Sequence, residues 1–330
     1  MAGRGNHDPH MFFKMSILSS QTAFLFPGQG SQHIGMGKDL AEKYPTAKET
    51  FHQANNWLGY PISKLIWEGP EEDLNDTINT QPALLIHSIA ALSVLQEQYP
   101  DFKPIYVAGH SMGELTALFA AGALSYQDAL NLVHKRGELM KQAGLSNPGG
   151  MAAIIGLDIP ALEDICQQAS TDDEVVQVAN DNCPGQVVIS GVNSALERAM
   201  KIAKEAGARY IRRLAVSIAA HSPLMAESQS EFEYEINQTQ FKDPSTHMIG
   251  NVNAQPLTKI TEIQSDLKAQ LTSRVRWTES ITTMVEHGVT TFIEIGSGSV
   301  LTGLLRRIDR RIKGYPLGTV GDFEKFNTLV

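Results

Sequence analysis

The chain has 330 residues, of which 42% are hydrophobic and 19% charged, and a net charge of −9. That composition and length suit a globular protein with ample core, and the acidic balance argues against nucleic acid or an anionic membrane as the main partner. Two cysteines, Cys166 and Cys183, form neither a disulfide framework nor a zinc motif and point to a reducing, cytoplasmic setting, and no run reaches the ~18 consecutive apolar residues of a membrane span.

Residues 1–14 begin polar and glycine-rich, lack the apolar core of a secretory signal, and read as a disordered leader, with Met11 or Met15 as alternative starts. Thr22–Phe26 is a short apolar run stopped by Pro27-Gly28, as expected of a buried strand. Gly28 to Gln32 reads as a loop, with a helix from near Met36. Asn79–Gln98 reads as a helix with Pro82 in its first turn, and Ile105–Ala108 as a second buried strand. A helical run follows Ser111, and Ser125 can cap another helix to about Ala143. Gly144 to Gly150 reads as a linker.

The next stretch suggests strand (151–157), helix (159–169), strand (174–179), strand (186–190), helix (194–206) and strand (210–216), with a turn over 180–185. That order is the split βαβ, or ferredoxin-like, arrangement. The expected fold is therefore α/β. A large hydrolase-like domain with a mostly parallel sheet spans 15–144 and 217–330, and a small ferredoxin-like βαββαβ domain is inserted at 145–216.

Gly109-His110-Ser111-Met112-Gly113 fits G-x-S-x-G between a strand and a helix, the setting of a nucleophile elbow. Small flanking residues permit a sharp turn, and the helix N-terminus aims N–H groups at developing negative charge. A serine nucleophile needs a base. His110 adjoins it and should diverge from it. His221, after the apolar run Ala215–Ala220 read as a strand and before Ser222-Pro223, is the better candidate; the alternative is a histidine capping a loop. Gln29, between Gly28 and Gly30 at a strand end, can donate to an oxyanion; a phosphate cradle is the rival, but neither Gly28-x-Gly30 nor Gly296-x-Gly298 completes GxGxxG. Arg136 offers a planar fork for a carboxylate, or is a solvated surface arginine beside Lys135.

Several blocks occur in order: Phe24-Leu-Phe-Pro-Gly-Gln-Gly-Ser-Gln32, Gly109-His-Ser-Met-Gly-Glu114, Arg136, Asn182-Cys-Pro-Gly-Gln-Val187, His221 and Ile295-Gly-Ser-Gly-Ser-Val-Leu-Thr-Gly303. Over roughly 20–315 the chain thereby resembles the malonyl-CoA:acyl carrier protein transacylases of bacterial fatty acid synthesis, whose blocks also occur in polyketide synthase acyltransferase domains. The resemblance implies Ser111 as nucleophile and His221 as base and then acid. It implies an oxyanion hole from Gln29 and the Met112 N–H, and Arg136 as clamp for the malonyl carboxylate. Gln270 falls where the family orients its histidine by backbone carbonyl, and Asn180 and Asn182 match residues bordering the cleft. Ala220 replaces the serine or phenylalanine common before the histidine, and Gly-Ser-Gly-Ser replaces Gly-Pro-Gly.

The implied reaction is ping-pong transfer of malonyl from malonyl-CoA to acyl carrier protein, with no cofactor or metal. Alternatives are a polyketide-type acyltransferase with another extender, a serine thioesterase or esterase, and a non-catalytic carrier-binding module. Arginine clusters at 209–213 and 306–311 are candidates for steering an acidic carrier, or are solvated surface charge.

Overall fold

The structure, a computed structural model, describes residues 20–330; the expected leader and both alternative starts lie outside the described residues. In chain order the first elements are β1 (Thr22–Phe26), α1 (Lys38–Lys43), α2 (Pro45–Leu58), α3 (Ile62–Glu68), α4 (Glu71–Asn75) and α5 (Thr77–Gln98). Next come β2 (Tyr106–Gly109), α6 (Gly113–Ala120), α7 (Tyr126–Ser146), β3 (Gly149–Ile155), α8 (Ile159–Ala169), β4 (Val176–Cys183), β5 (Gln186–Val192), α9 (Asn193–Glu205) and β6 (Tyr210–Arg213). The last are α10 (Ala226–Gln238), β7 (His247–Ile249), β8 (Pro256–Leu257), α11 (Ile260–Gln270), α12 (Trp277–Glu286), β9 (Thr291–Ile295), α13 (Val300–Ile308), β10 (Lys313–Leu317) and α14 (Val320–Phe326).

The main sheet runs β10-β9-β1-β2-β7-β8, and every pairing but β7–β8 is parallel. Every residue of β1 and β9 is buried, as befits a parallel sheet covered on both faces. Phe26 lies opposite Gly109, so the Gln29 loop and the Ser111 turn leave the sheet side by side at its carboxyl edge. The helix α5 is long and apolar enough to cross a bilayer, but here it is a core helix, buried from Thr80 to Leu92. It starts two residues before Asn79 because the Asp76 side chain accepts from Ile78 N–H, so Pro82 falls in the second turn rather than the first.

A second, antiparallel sheet runs β4-β5-β3-β6. The helices α8 and α9 pack on it through Leu162, Ile165, Leu196 and Ala199 against Ile154 and Ile189. Val275 ties it to the rest of the molecule, donating its N–H to Ala179 O at 2.8 Å and accepting from Asp181 N–H at 3.0 Å.

Four local expectations differ from the structure. The stretch 144–150 is not a linker, because α7 runs on to Ser146 and β3 already begins at Gly149. The turn expected over 180–185 contracts to Pro184-Gly185, since β4 continues through Cys183. The last strand of this stretch stops at Arg213. The apolar run Ala215–Ala220 is not a strand; it packs as irregular chain, with Ala219 and Ala220 buried. Ala220 joins the main core and Val216 and Ile218 pack partly buried against it without pairing, a case of tertiary packing overriding propensity.

Candidate active site

The strand β2 ends at Gly109 and α6 starts at Gly113, which leaves Ser111 at the apex of a tight turn with φ 53°. A Cβ on Gly109 would stand 1.9 Å from Gly113 O, so only glycine fits there. The turn is held from across the sheet. Asn251, just past β7, accepts the Ser111 N–H on Oδ1 at 2.8 Å and donates Nδ2 to Gly109 O at 2.8 Å. Its own N–H goes to Glu114 Oε1 at 3.2 Å. Sequence reasoning missed Asn251; its only signal is its place after a strand end, and the three-residue β7 is too short to read from the sequence.

His221 does not follow a strand. It sits in a loop with φ 59°, and its Nε2 lies 2.8 Å from Ser111 Oγ. Its Nδ1 faces two carbonyl oxygens, Gln270 O at 2.9 Å and Ser273 O at 3.1 Å. Carbonyls only accept, so Nδ1 holds the proton and Nε2 keeps the lone pair that receives the serine O–H. Gln177 on β4, also missed, steadies the loop by donating Nε2 to His221 O at 2.7 Å. Burial first, and then the Arg136 charge, lowers the imidazole pKa from 6.5 to about 3, so the ring is neutral near pH 7.

Arg136, on α7, is 2% exposed, not a surface residue. Its Nη2 donates to Ser111 Oγ at 3.0 Å and to Gln270 Oε1 at 2.9 Å, and Nη1 donates to Gln81 Oε1 at 2.8 Å. Its Nε has no partner among the described residues, and it forms no salt bridge among them. Burial lowers its pKa to about 10, which leaves it charged. The acid whose charge acts on it is Glu114, whose own carboxyl is pushed well above the usual range by burial and by the neighbouring Asp266. The Glu114 charge acts to raise the arginine's pKa but forms no salt bridge with it, so the guanidinium is buried without a direct ion pair among the described residues.

Gln270 closes the ring. Its Nε2 donates to Ser111 O at 3.1 Å and also to the Glu114 carboxyl. Gln29 lies on the loop that leaves the sheet next to the Ser111 turn. Its loop packs on the elbow so closely that a Cβ on Gly28 would meet His110 O at 2.5 Å. Gln29 is exposed, and its Oε1 accepts from Thr77 Oγ1 at 3.0 Å. The Met112 N–H, at the mouth of α6, has no acceptor among the described residues. His110 turns to the other side and donates Nε2–H to Asn182 Oδ1 at 2.8 Å. Asn180 is buried at the irregular pairing of β4 with β5, beside the Val275 bridge, and does not join this cluster by any side-chain bond described.

Ser111, His221, Arg136 and Gln270 are thus brought into one hydrogen-bonded cluster, with Gln29 and the Met112 N–H beside it. Among the described residues no group of His, Cys, Asp or Glu is arranged to hold a metal.

The acyl transferase domain family matches residues 23–321. The malonyl CoA-acyl carrier protein transacylase of Haemophilus influenzae is 45% identical over 301 residues, covering 91% of this chain and 96% of that protein. The transacylase of the same name from Bacillus subtilis is 47% identical over 294 residues, covering 89% and 92%. The crystal structure of an acyl carrier protein S-malonyltransferase from Vibrio cholerae superposes with a TM-score of 0.90 at 43% identity, covering 93% of this chain and all of that one. The chain belongs to the acyl transferase domain family, alongside malonyl CoA-acyl carrier protein transacylases.

Proposed function

We propose that this enzyme transfers a malonyl group from malonyl-CoA to the pantetheine thiol of acyl carrier protein through an ester on Ser111. Ser111 Oγ attacks the thioester carbonyl as its proton passes to His221 Nε2. Gln29 Nε2 and the Met112 N–H stabilise the tetrahedral oxyanion. CoA leaves as the thiol, taking the proton from His221. The carrier thiol then gives its proton to His221 as its sulfur attacks the ester, and Ser111 regains a proton as the malonyl thioester departs. Gln270 and Ser273 carbonyls hold the imidazole, and Asn180 and Asn182 border the cleft.

The observation behind malonyl is Arg136, a buried guanidinium with no salt bridge among the described residues, 3.0 Å from the nucleophile. A substrate carboxylate would supply a direct, bidentate ion pair there. The test is intact mass after mixing with malonyl-CoA. The chain should gain one malonyl group, and Ser111→Ala should gain none. Labelling that persists in the alanine variant would remove Ser111 from its role, and rapid loss of the label to water without a thiol acceptor would favour a hydrolase.

The second sheet supports an inserted ferredoxin-like domain at 145–216 within a hydrolase-like body of 15–144 and 217–330: its strand order places the two central strands between those that end each βαβ half. Two buried free thiols agree with a cytoplasmic enzyme. The carrier is proposed to approach over the 306–311 cluster. Arg307 there donates to Gln186 and to Pro184 O, two residues from Asn182, whereas Arg213 in the other cluster is engaged by Asn193 and Glu197.

A further inference from the structure

Four side chains from three separate segments form one line of hydrogen bonds that runs from the buried Arg136 to the exposed Gln29. Arg136 Nη1 donates to Gln81 Oε1 at 2.8 Å, Gln81 Nε2 donates to Thr77 Oγ1 at 2.9 Å, and Thr77 Oγ1 donates to Gln29 Oε1 at 3.0 Å. Thr77 and Gln81 stand one turn apart on α5, 4% and 0% exposed. Met140 Sδ flanks the line, 3.2 Å from Arg136 Nη1 and 3.3 Å from Gln81 Nε2.

The direction of every bond in this line follows from its first member. A guanidinium has donors only. Gln81 must therefore turn its oxygen to Arg136, which sends its NH2 to Thr77. The Thr77 oxygen accepts that bond, and its single hydrogen is left for Gln29. Gln29 can meet it only with Oε1, so its NH2 faces the other way. The amide orientations, normally ambiguous between oxygen and nitrogen, are settled here by chemistry. A flipped Gln29 would set its NH2 against the hydrogen of the buried Thr77 hydroxyl and turn oxygen lone pairs towards any oxyanion beside Ser111.

We propose that Thr77 and Gln81 are positioning residues for acyl transfer: they pass the donor-only character of Arg136 to Gln29 and lock its Nε2 outward as an oxyanion donor. This rests on the reading of Gln29 as part of the oxyanion hole. It also makes the carboxylate clamp and the oxyanion donor two ends of one rigid unit, so the residue that selects malonyl also sets the polarity of the group that activates it.

The test is the single-turnover rate of Ser111 acylation by malonyl-CoA in Thr77→Val, Thr77→Ser, Gln29→Ala and the Thr77→Val/Gln29→Ala pair, each checked for an unchanged thermal melt. Loss of a whole oxyanion donor costs about 100- to 1000-fold, so loosening one should cost roughly tenfold in Thr77→Val. The Michaelis constant should stay within about twofold, because the donor acts on the transition state. Thr77→Ser keeps the hydroxyl and should react near the wild-type rate even if Thr77→Val folds poorly. The double variant should be no slower than Gln29→Ala alone. A fully additive double variant, a Thr77→Ser as slow as Thr77→Val, or a wild-type rate in Thr77→Val beside a slow Gln29→Ala would overturn the relay while leaving Gln29 its role. A wild-type rate in Gln29→Ala would overturn the oxyanion reading itself, and the relay with it.

Discussion

Ser111 and His221 meet at 2.8 Å, and both adopt a left-handed backbone, with φ of 53° and 59°. Among the described residues only Ala254 shares that region without being glycine. Each bends sharply to bring its side chain to the same point, and each is held there by other parts of the fold: Ser111 by Asn251, His221 by Gln177 and two carbonyls. Strain of this kind persists only where the surroundings over-determine it.

That strain predicts a stability difference between two inactive variants. Both Ser111→Gly and Ser111→Ala remove the nucleophile, but only glycine removes the Cβ that opposes a left-handed turn, at a cost of about 1 kcal/mol. Ser111→Gly should therefore unfold at a higher denaturant midpoint than Ser111→Ala. Equal midpoints would show that the elbow stores no strain.

The depressed His221 pKa predicts the acid limb of activity. In the folded chain the ring protonates near 3 and in the unfolded chain near 6.5. The base thus stays neutral, and acylation should hold steady from about pH 7.5 to about pH 5, well below the range where an ordinary histidine fails. The stability this group contributes is complete above the unfolded value. It is lost as pH falls from 6.5 towards 3, because only the unfolded chain takes the proton. Acid inactivation should consequently coincide with loss of circular dichroism. A rate that dropped through pH 6.5 with the fold intact would contradict the buried, neutral base.

Arg136 predicts selectivity. Its charge-assisted bonds to a malonyl carboxylate are worth roughly 1.5–3 kcal/mol, or at least about tenfold at about 1.4 kcal/mol per decade. In Arg136→Ala, kcat/KM for malonyl-CoA should fall by that factor, while acetyl-CoA should be used as well as before or better. Arg136→Lys should recover the preference only in part, lacking the planar fork. An unchanged malonyl-to-acetyl ratio in Arg136→Ala would place the clamp elsewhere.

Asn251 should matter to both fold and rate. Replacing it with alanine strands the Ser111 N–H and Gly109 O, and each buried polar group left unpaired costs about 1–3 kcal/mol. Asn251→Ala should lose about 2–4 kcal/mol of stability by denaturant titration and lower kcat more than it raises KM, since the elbow loses its shape. A variant with native stability and rate would assign the elbow's geometry to its glycines alone.

The amino-acid sequence by itself determined the features that depend on neighbours along the chain. The buried strand Thr22–Phe26, the helix Ile159–Ala169 and the elbow around Ser111 need only short-range patterns: apolar runs, caps and small residues at a tight turn. Ser111, His221, Arg136 and Gln29 were legible as residue types, each sharpened by the family resemblance. Tertiary structure alone decided that Arg136 is a buried cation with no salt bridge among the described residues, and that Ala215–Ala220 forms no strand. It alone supplied Asn251, Gln177, Thr77 and Gln81. The bond from Asn251 to Ser111 spans 140 residues of sequence and that from Arg136 to Gln81 spans 55. Bonds of that range leave no periodicity to read, because whether a polar side chain finds its partner is settled only when the sheet and helices bring distant segments together and exclude the water that would otherwise satisfy them.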